Sequence, residues 1–267
     1  MRRELASAAK DMAVYIKALD ENLAESPWRG APLKSAASAS APSPYPAAVP
    51  AGPADTSMTK QPPADMDTLA EKVGKCRKCG LGHARLNAVF GVGSYKSKVV
   101  FVGEGPGFQE DHKGEPFVGR SGSLLDKILE TVLGLKREDV YIANIVKCHP
   151  MINPENPEAH GNDRPPTPEE ISACRPYLDR QLMLIKPKCI VTLGSVATKV
   201  LLGVTQGISF VRGKWYDYPV ELFGPGHPIK VIPTYHPAAL LRNPNLKRDT
   251  WEDMKLLKSF LENGKID

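Results

Sequence analysis

Beyond about residue 95 the apolar residues fall into two alternating patterns. Four short runs are apolar on both sides, too brief for helices and rich in β-branched residues: Lys98–Gly103 (KVVFVG), Val140–Val146 (VYIANIV), Cys189–Leu193 (CIVTL) and Lys230–Thr234 (KVIPT). Each reads as a buried strand. Between them lie longer segments with helical spacing. One runs from Leu124 to Leu133 and is closed by Gly134. Another opens on Thr167-Pro168-Glu169-Glu170, an N-cap, a first-turn proline and a capping-box glutamate, and must end before Lys186-Pro187. Ser195 is expected to cap a third, through Leu202 to Gly203, and Asp249–Leu261 reads as a last helix. Strands alternating with helices predict an α/β fold of three layers, α/β/α, around a mostly parallel central sheet of about four strands. Ligands of such sheets bind beyond the C-terminal ends of the strands.

The N-terminal quarter differs. Residues 4–25 read as a short helix with Met12, Val14, Ile16, Leu19 and Leu23 partly on one side. Residues 31–64 hold eight Pro, ten Ala and five Ser, too little apolar surface to offset the entropy of ordering, and are expected to form a disordered linker. The chain thus divides into an N-terminal helical segment (1–30), the linker (31–64) and one folded domain (65–267).

The whole chain has 267 residues, with 35 Lys+Arg against 30 Asp+Glu. No apolar run approaches the roughly 18–20 residues that span a bilayer, and the N-terminus is too charged for a signal peptide. A cytoplasmic protein with no membrane partner is expected. The net charge of +5 permits a polyanionic partner without demanding one.

Chemistry-bearing residues cluster after the strands. The first strand is followed by Glu104-Gly105-Pro106-Gly107, then Glu110 and Asp111, then Phe117 and Gly119-Arg120-Ser121-Gly122. Glycines there let backbone approach a ligand and offer N–H groups to an anion. Phe108 stands where a dinucleotide-binding fingerprint needs its last glycine, which excludes that reading. Asn144 lies near the end of the second strand, and His236 follows the fourth. Glu104, Asn144 and His236, from three strands, could therefore meet in one cleft. Of the five cysteines, Cys76 and Cys79 form a C-x-x-C pair, and Cys148 and Cys174 are plausible partners for it in a four-thiolate site. Such a site holds zinc or an iron–sulfur cluster, and spacing alone leans to zinc. Cys189, inside a strand, reads as a small core residue.

In order along the chain, Cys76-x-x-Cys79-x-Leu81, GEGPG (103–107) with Glu110-Asp111, PFVGR (116–120), YIANIVKC (141–148), ACRPYL (173–178), TLG (192–194) and HPAALLR (236–242) resemble the iron–sulfur, family 4 uracil-DNA glycosylases. The resemblance implies a [4Fe–4S] cluster on Cys76, Cys79, Cys148 and Cys174 at the edge of the sheet, overturning the lean to zinc. It implies a monomeric DNA-repair enzyme that flips uracil out of DNA and hydrolyses its N-glycosidic bond. Glu104 would position water and stabilise the sugar cation. His236 and the Gly105-Pro106-Gly107 backbone would serve uracil O2. Phe117 would stack on the base and Asn144 would read its O4/N3–H edge. Glu110 and Asp111 would support the pocket, while Arg120, Ser121 and Arg242 would hold DNA. Residues 1–64 are a candidate contact for a repair or replication partner. Residues 151–160 depart from the family's shorter loop between the last two cysteines, which bears on the DNA-facing rim. Two rivals share the superfamily: a non-catalytic DNA-binding module, against which the intact Glu104, Phe117, Asn144 and His236 argue, and a branch that attaches covalently to DNA through a loop histidine. His160 lies in the inserted loop, but the basic run that marks that branch is absent.

Overall fold

The computed structural model describes residues 66–218, 229–264 and 266; the expected helix over 4–25 and the linker over 31–64 lie outside the described residues. Among the described residues six strands form one sheet: β1 (Val92–Gly93), β2 (Val99–Gly103), β3 (Tyr141–Asn144), β4 (Cys189–Leu193), β5 (Tyr216–Asp217) and β6 (Lys230–Thr234). Their order is β1-β3-β2-β4-β6-β5. The four expected strands are the central ones and all run parallel; β1 and β5, two residues each, add antiparallel edges.

The helices are α1 (Met66–Lys75), α2 (Leu81–Ala84), α3 (Phe108–Lys113), α4 (Arg120–Ile128), α5 (Pro168–Ile185), α6 (Ser195–Leu202), α7 (Ile208–Val211), α8 (Pro237–Arg242) and α9 (Lys247–Asn263). They cover both faces because the strands are apolar on both. Along β2, Val100 and Val102 pack with Leu69, Leu178 and Leu201 of α1, α5 and α6. Val99 and Phe101 pack on the other face with Leu125, Leu240 and Leu257 of α4, α8 and α9. Every β2 residue is buried, and each such apolar side chain contributes about 1.5–3 kcal/mol.

Local signals set most helix ends. Thr167 caps α5 as expected, its hydroxyl accepting from Glu170 N–H while the Glu170 carboxylate accepts from Thr167 N–H. The helix expected over 124–133 begins earlier, at Arg120, and its last turn, Leu129–Leu133, is π-helical before Gly134 closes it at φ 67°. Ser195 is not the cap of α6 but its first residue. Gly194 holds that place at φ 90°, where a Cβ would press within 3.0 Å of His236 Cβ, so only glycine turns the chain there. The segment after His236 is helix α8; the His236 side chain caps it by accepting from Ala238 N–H.

The chain leaves β2 toward β3 on one side, then returns across it to β4 on the other. The connections therefore diverge between β2 and β4, which opens a crevice at their C-terminal ends.

Candidate functional site

That crevice is a cleft of about 810 Å³ lined by Glu104 after β2, Asn144 at the end of β3, Gly194 and Ser195 after β4, and His236 after β6. Parallel register brings Gly103 opposite Asn144 and Leu193 opposite Thr234, which levels the strand ends. Gly105, Pro106, Gly107, Glu110, Phe117, Arg120, Ser121 and Arg242 also line it. Arg120 and Arg242 are exposed at its rim.

The polar groups in the cleft differ sharply in environment. Asn144 is buried, and its Oδ1 has no hydrogen-bond partner. An unpaired buried amide oxygen costs about 1–3 kcal/mol, so it stands as a vacant acceptor. His236 is held neutral: burial, then the nearby Arg242, lower its pKa to about 4. Its Nδ1 accepts from Ala238 N–H at 3.1 Å, which leaves the ring proton on Nε2. Burial raises the pKa of Glu104 above the usual carboxylate value. Phe117, itself buried, sits at φ 52°, a conformation rare for an aromatic residue, with its ring centroid 5.4 Å from that of His236.

Supporting contacts fix these groups. Glu110 accepts from the backbone N–H of Gly107 at 3.2 Å and of Val118 at 3.1 Å, tying the glycine turn to the residue after Phe117. At the end of β6, the buried Asp253 carboxylate accepts from Thr234 Oγ1 at 2.6 Å and from the Arg212 guanidinium. Burial raises Asp253 to about 6. Arg212 in turn lies over the Tyr235 ring at 5.6 Å, so the turn carrying His236 is braced from both sides.

Asp111, expected with Glu110 to support the substrate pocket, does not line the cleft. It is fully buried and accepts from Leu86 and Asn87 N–H at 3.1 Å each. Its Oδ2 stands 3.7 Å from Nδ1 of His149, whose Nε2 bonds Asp163 at 2.6 Å. Burial alone would lower His149, but the two carboxylates outweigh it and lift its pKa to about 9. Sequence reasoning missed Asp163, Gly194 and Ser195, all in the cleft wall. The glycine directly after a strand was the one signal that could have found the last two.

The inserted segment folds back against the residues that follow it: the Asn162 amide bonds Asn153 N–H and O and the Asn156 carbonyl, and Arg164 pairs with Glu170 through two bonds of 2.8 and 2.7 Å. It forms one wall of the cleft, where His160 stacks on Phe108 with centroids 4.3 Å apart.

On the other side of Pro150 a second recess is lined by Cys76, Cys79, Cys148 and Cys174, with Arg85, Lys147 and Tyr177. All four thiols are free, from three stretches of chain distant in sequence. Among the described residues no group of three or more His, Cys, Asp or Glu is arranged to hold one metal ion; the four cysteines ring the recess instead. Cationic and N–H donors already point at the sulfurs. Arg85 Nη1 lies 2.8 Å from Cys148 Sγ, and Lys147 N–H donates to Cys174 Sγ at 3.2 Å. Burial nevertheless pushes Cys174 up to about 12 as a thiol. Cys189 is the buried core residue expected of it. No helix among the described residues is long and apolar enough to cross a membrane.

Residues 90–255 match the Uracil DNA glycosylase superfamily. The chain is 42% identical over 206 residues to the type-4 uracil-DNA glycosylase of Saccharolobus solfataricus, covering 76% of this chain and 89% of that one. It is 44% identical over 199 residues to the enzyme of that name from Sulfurisphaera tokodaii, with 73% and 84% covered. It is also 44% identical over 200 residues to that of Thermotoga maritima, with 74% and 95% covered. With the cleft at the sheet's diverging point and the matched region spanning every residue that lines it, the chain belongs to the uracil DNA glycosylase superfamily.

Proposed function

We propose that this chain is a uracil-DNA glycosylase that hydrolyses the bond between uracil and deoxyribose in DNA, leaving free uracil and an abasic site. The observation that carries the reading is the vacant Asn144 Oδ1, buried in the same cleft as the Phe117 ring, a neutral His236 and the Glu104 carboxylate. A base can reach that depth only after leaving the helical stack, at a cost of a few kcal/mol. Phe117 stacks on the flipped base. Asn144 Oδ1 accepts uracil N3–H, which cytosine lacks. As the glycosidic bond breaks, the base gathers negative charge on O2 and the sugar becomes cationic. His236 Nε2–H, with backbone N–H groups of residues 105–107, donates to O2. Because the imidazole is neutral, it stabilises the departing anion by hydrogen bonding rather than by giving up an ammonium-like proton. Ionised Glu104 holds the attacking water and faces the sugar cation. Glu110 sets the pocket backbone, and Arg120, Ser121 and Arg242 meet DNA phosphates at the rim.

The four-cysteine recess suits a [4Fe–4S] cluster on Cys76, Cys79, Cys148 and Cys174. Donors spread around a recess suit a polynuclear group better than one zinc ion, and the N–H and guanidinium contacts favour thiolate sulfur. When bound, the cluster supplies cross-linking rather than a step of the hydrolysis: it would pin the segment between α1 and α2, the end of β3 and α5 together. Protein purified without oxygen is expected to be brown with about four iron atoms per chain. A Cys174→Ser chain should hold less iron and melt at lower temperature; zinc in place of iron would refute the assignment.

Incubation with a uracil-containing oligonucleotide tests the activity. Free uracil and an alkali-labile site are expected. A denaturation-resistant protein–DNA adduct would move the chain to the covalent branch, and neither product would leave a binding module.

A further inference from the structure

Lys147 is buried, with 1% of its surface exposed. Its Nζ donates to two neutral acceptors, the Asn144 carbonyl at 3.0 Å and Gln181 Oε1 at 2.6 Å. Among the described residues no carboxylate pairs with it. A buried ammonium with only neutral partners is costly, by several kcal/mol after relaxation, so the charge calls for an anion nearby. The groups that can supply one are the sulfurs of Cys148, its neighbour in sequence, and Cys174, which its own N–H meets at 3.2 Å. Both lie in the recess that Lys147 lines. Arg85 also meets one of these sulfurs, its Nη1 standing 2.8 Å from Cys148 Sγ.

We infer that Lys147 is the internal counter-ion of the cluster, its ammonium matching negative charge that four thiolates bring into the recess. Arg85 is partly exposed, where water screens its charge; Lys147 is buried, so its field acts on the cluster with less loss. The same Nζ holds the carbonyl of Asn144, so the charge that balances the cluster also anchors the strand end bearing the base-reading amide.

The inference rests on the cluster assignment proposed above, and the two fail differently. Wild-type protein without iron would remove the assignment itself. If iron is present, the reduction potential of the cluster is measured in wild type, Lys147→Met and Lys147→Arg. Reduction adds a negative charge, so loss of a nearby cation should make it harder. Lys147→Met is expected to shift the potential to more negative values, and Lys147→Arg to keep it near wild type. A Met variant that takes up no iron while the Arg variant does would support the same conclusion. An unchanged potential in the Met variant overturns it. So does equal loss of iron from both variants, because the position would then answer to side-chain shape rather than charge.

Discussion

A Glu104→Gln chain is expected to excise uracil about 10²–10⁴-fold more slowly than wild type, with the loss in kcat and little change in KM. The amide keeps the size of the carboxylate and can still touch water. It cannot take the water's proton or face the sugar cation with a full negative charge, and both matter only as the bond breaks. The pH profile separates this from general damage. Burial lifts the pKa of Glu104 above the ordinary value of 4.5, so at low pH the group is a neutral acid and excision is slow. The rate should rise as pH climbs through that pKa and level off above it. His236, at about 4, stays neutral over the upper part of the limb and does not set it. Single-turnover rates on a uracil oligonucleotide across pH test this. The limb should disappear in Glu104→Gln and persist, at lower absolute rate, in His236→Gln. A Glu104→Gln chain with wild-type rate and profile would remove Glu104 from the chemistry.

The central strands were legible because burial on two faces writes itself as unbroken apolar runs, and α5 because Thr167, Pro168 and Glu170 spell its start. Other elements leave no such trace. β1 and β5 are two residues each, too short for a period, and exist because they pair with β3 and β6. Helix α8 starts on a histidine, outside the usual capping residues, and needs the His236 ring turned back on Ala238. The site divides along the same line. Glu104, Asn144 and His236 follow strands, and the rule for parallel sheets finds them. Their roles came from the resemblance, since an asparagine or histidine beyond a strand has many uses. Asp111 shows the limit: beside Glu110 it reads as another pocket acid, yet it points away to bind N–H groups 24 and 25 residues distant in sequence. Asp163, just after the inserted segment, enters the cleft wall through the fold of the loop between β3 and α5.

Asn144→Ala is expected to lower uracil excision by about 5- to 150-fold, the worth of a good base-edge contact of about 1–3 kcal/mol. It should do so with little loss of stability. The backbone carbonyl that holds Lys147 remains, and the deleted Oδ1 had no partner to lose. An acceptor left unpaired in the free protein and paired by the substrate is destabilising until the base arrives, so stability and activity should move independently at this position. Gly103→Ala reaches the same amide from behind. A Cβ on Gly103 would overlap both Asn144 Oδ1 and Phe117 Cζ, and neither is at the end of a long flexible chain that could swing clear. Gly103 lies in β2 with ordinary backbone angles, so the substitution strains packing rather than conformation. Displacing the stacking ring and the reading amide together should cost at least as much activity as Asn144→Ala, with a lower melting temperature as well. Excision rates on uracil- and cytosine-containing oligonucleotides, with thermal melts of each variant, check both. An Asn144→Ala chain that excises uracil at the wild-type rate and still ignores cytosine would mean that the base is read elsewhere in the cleft.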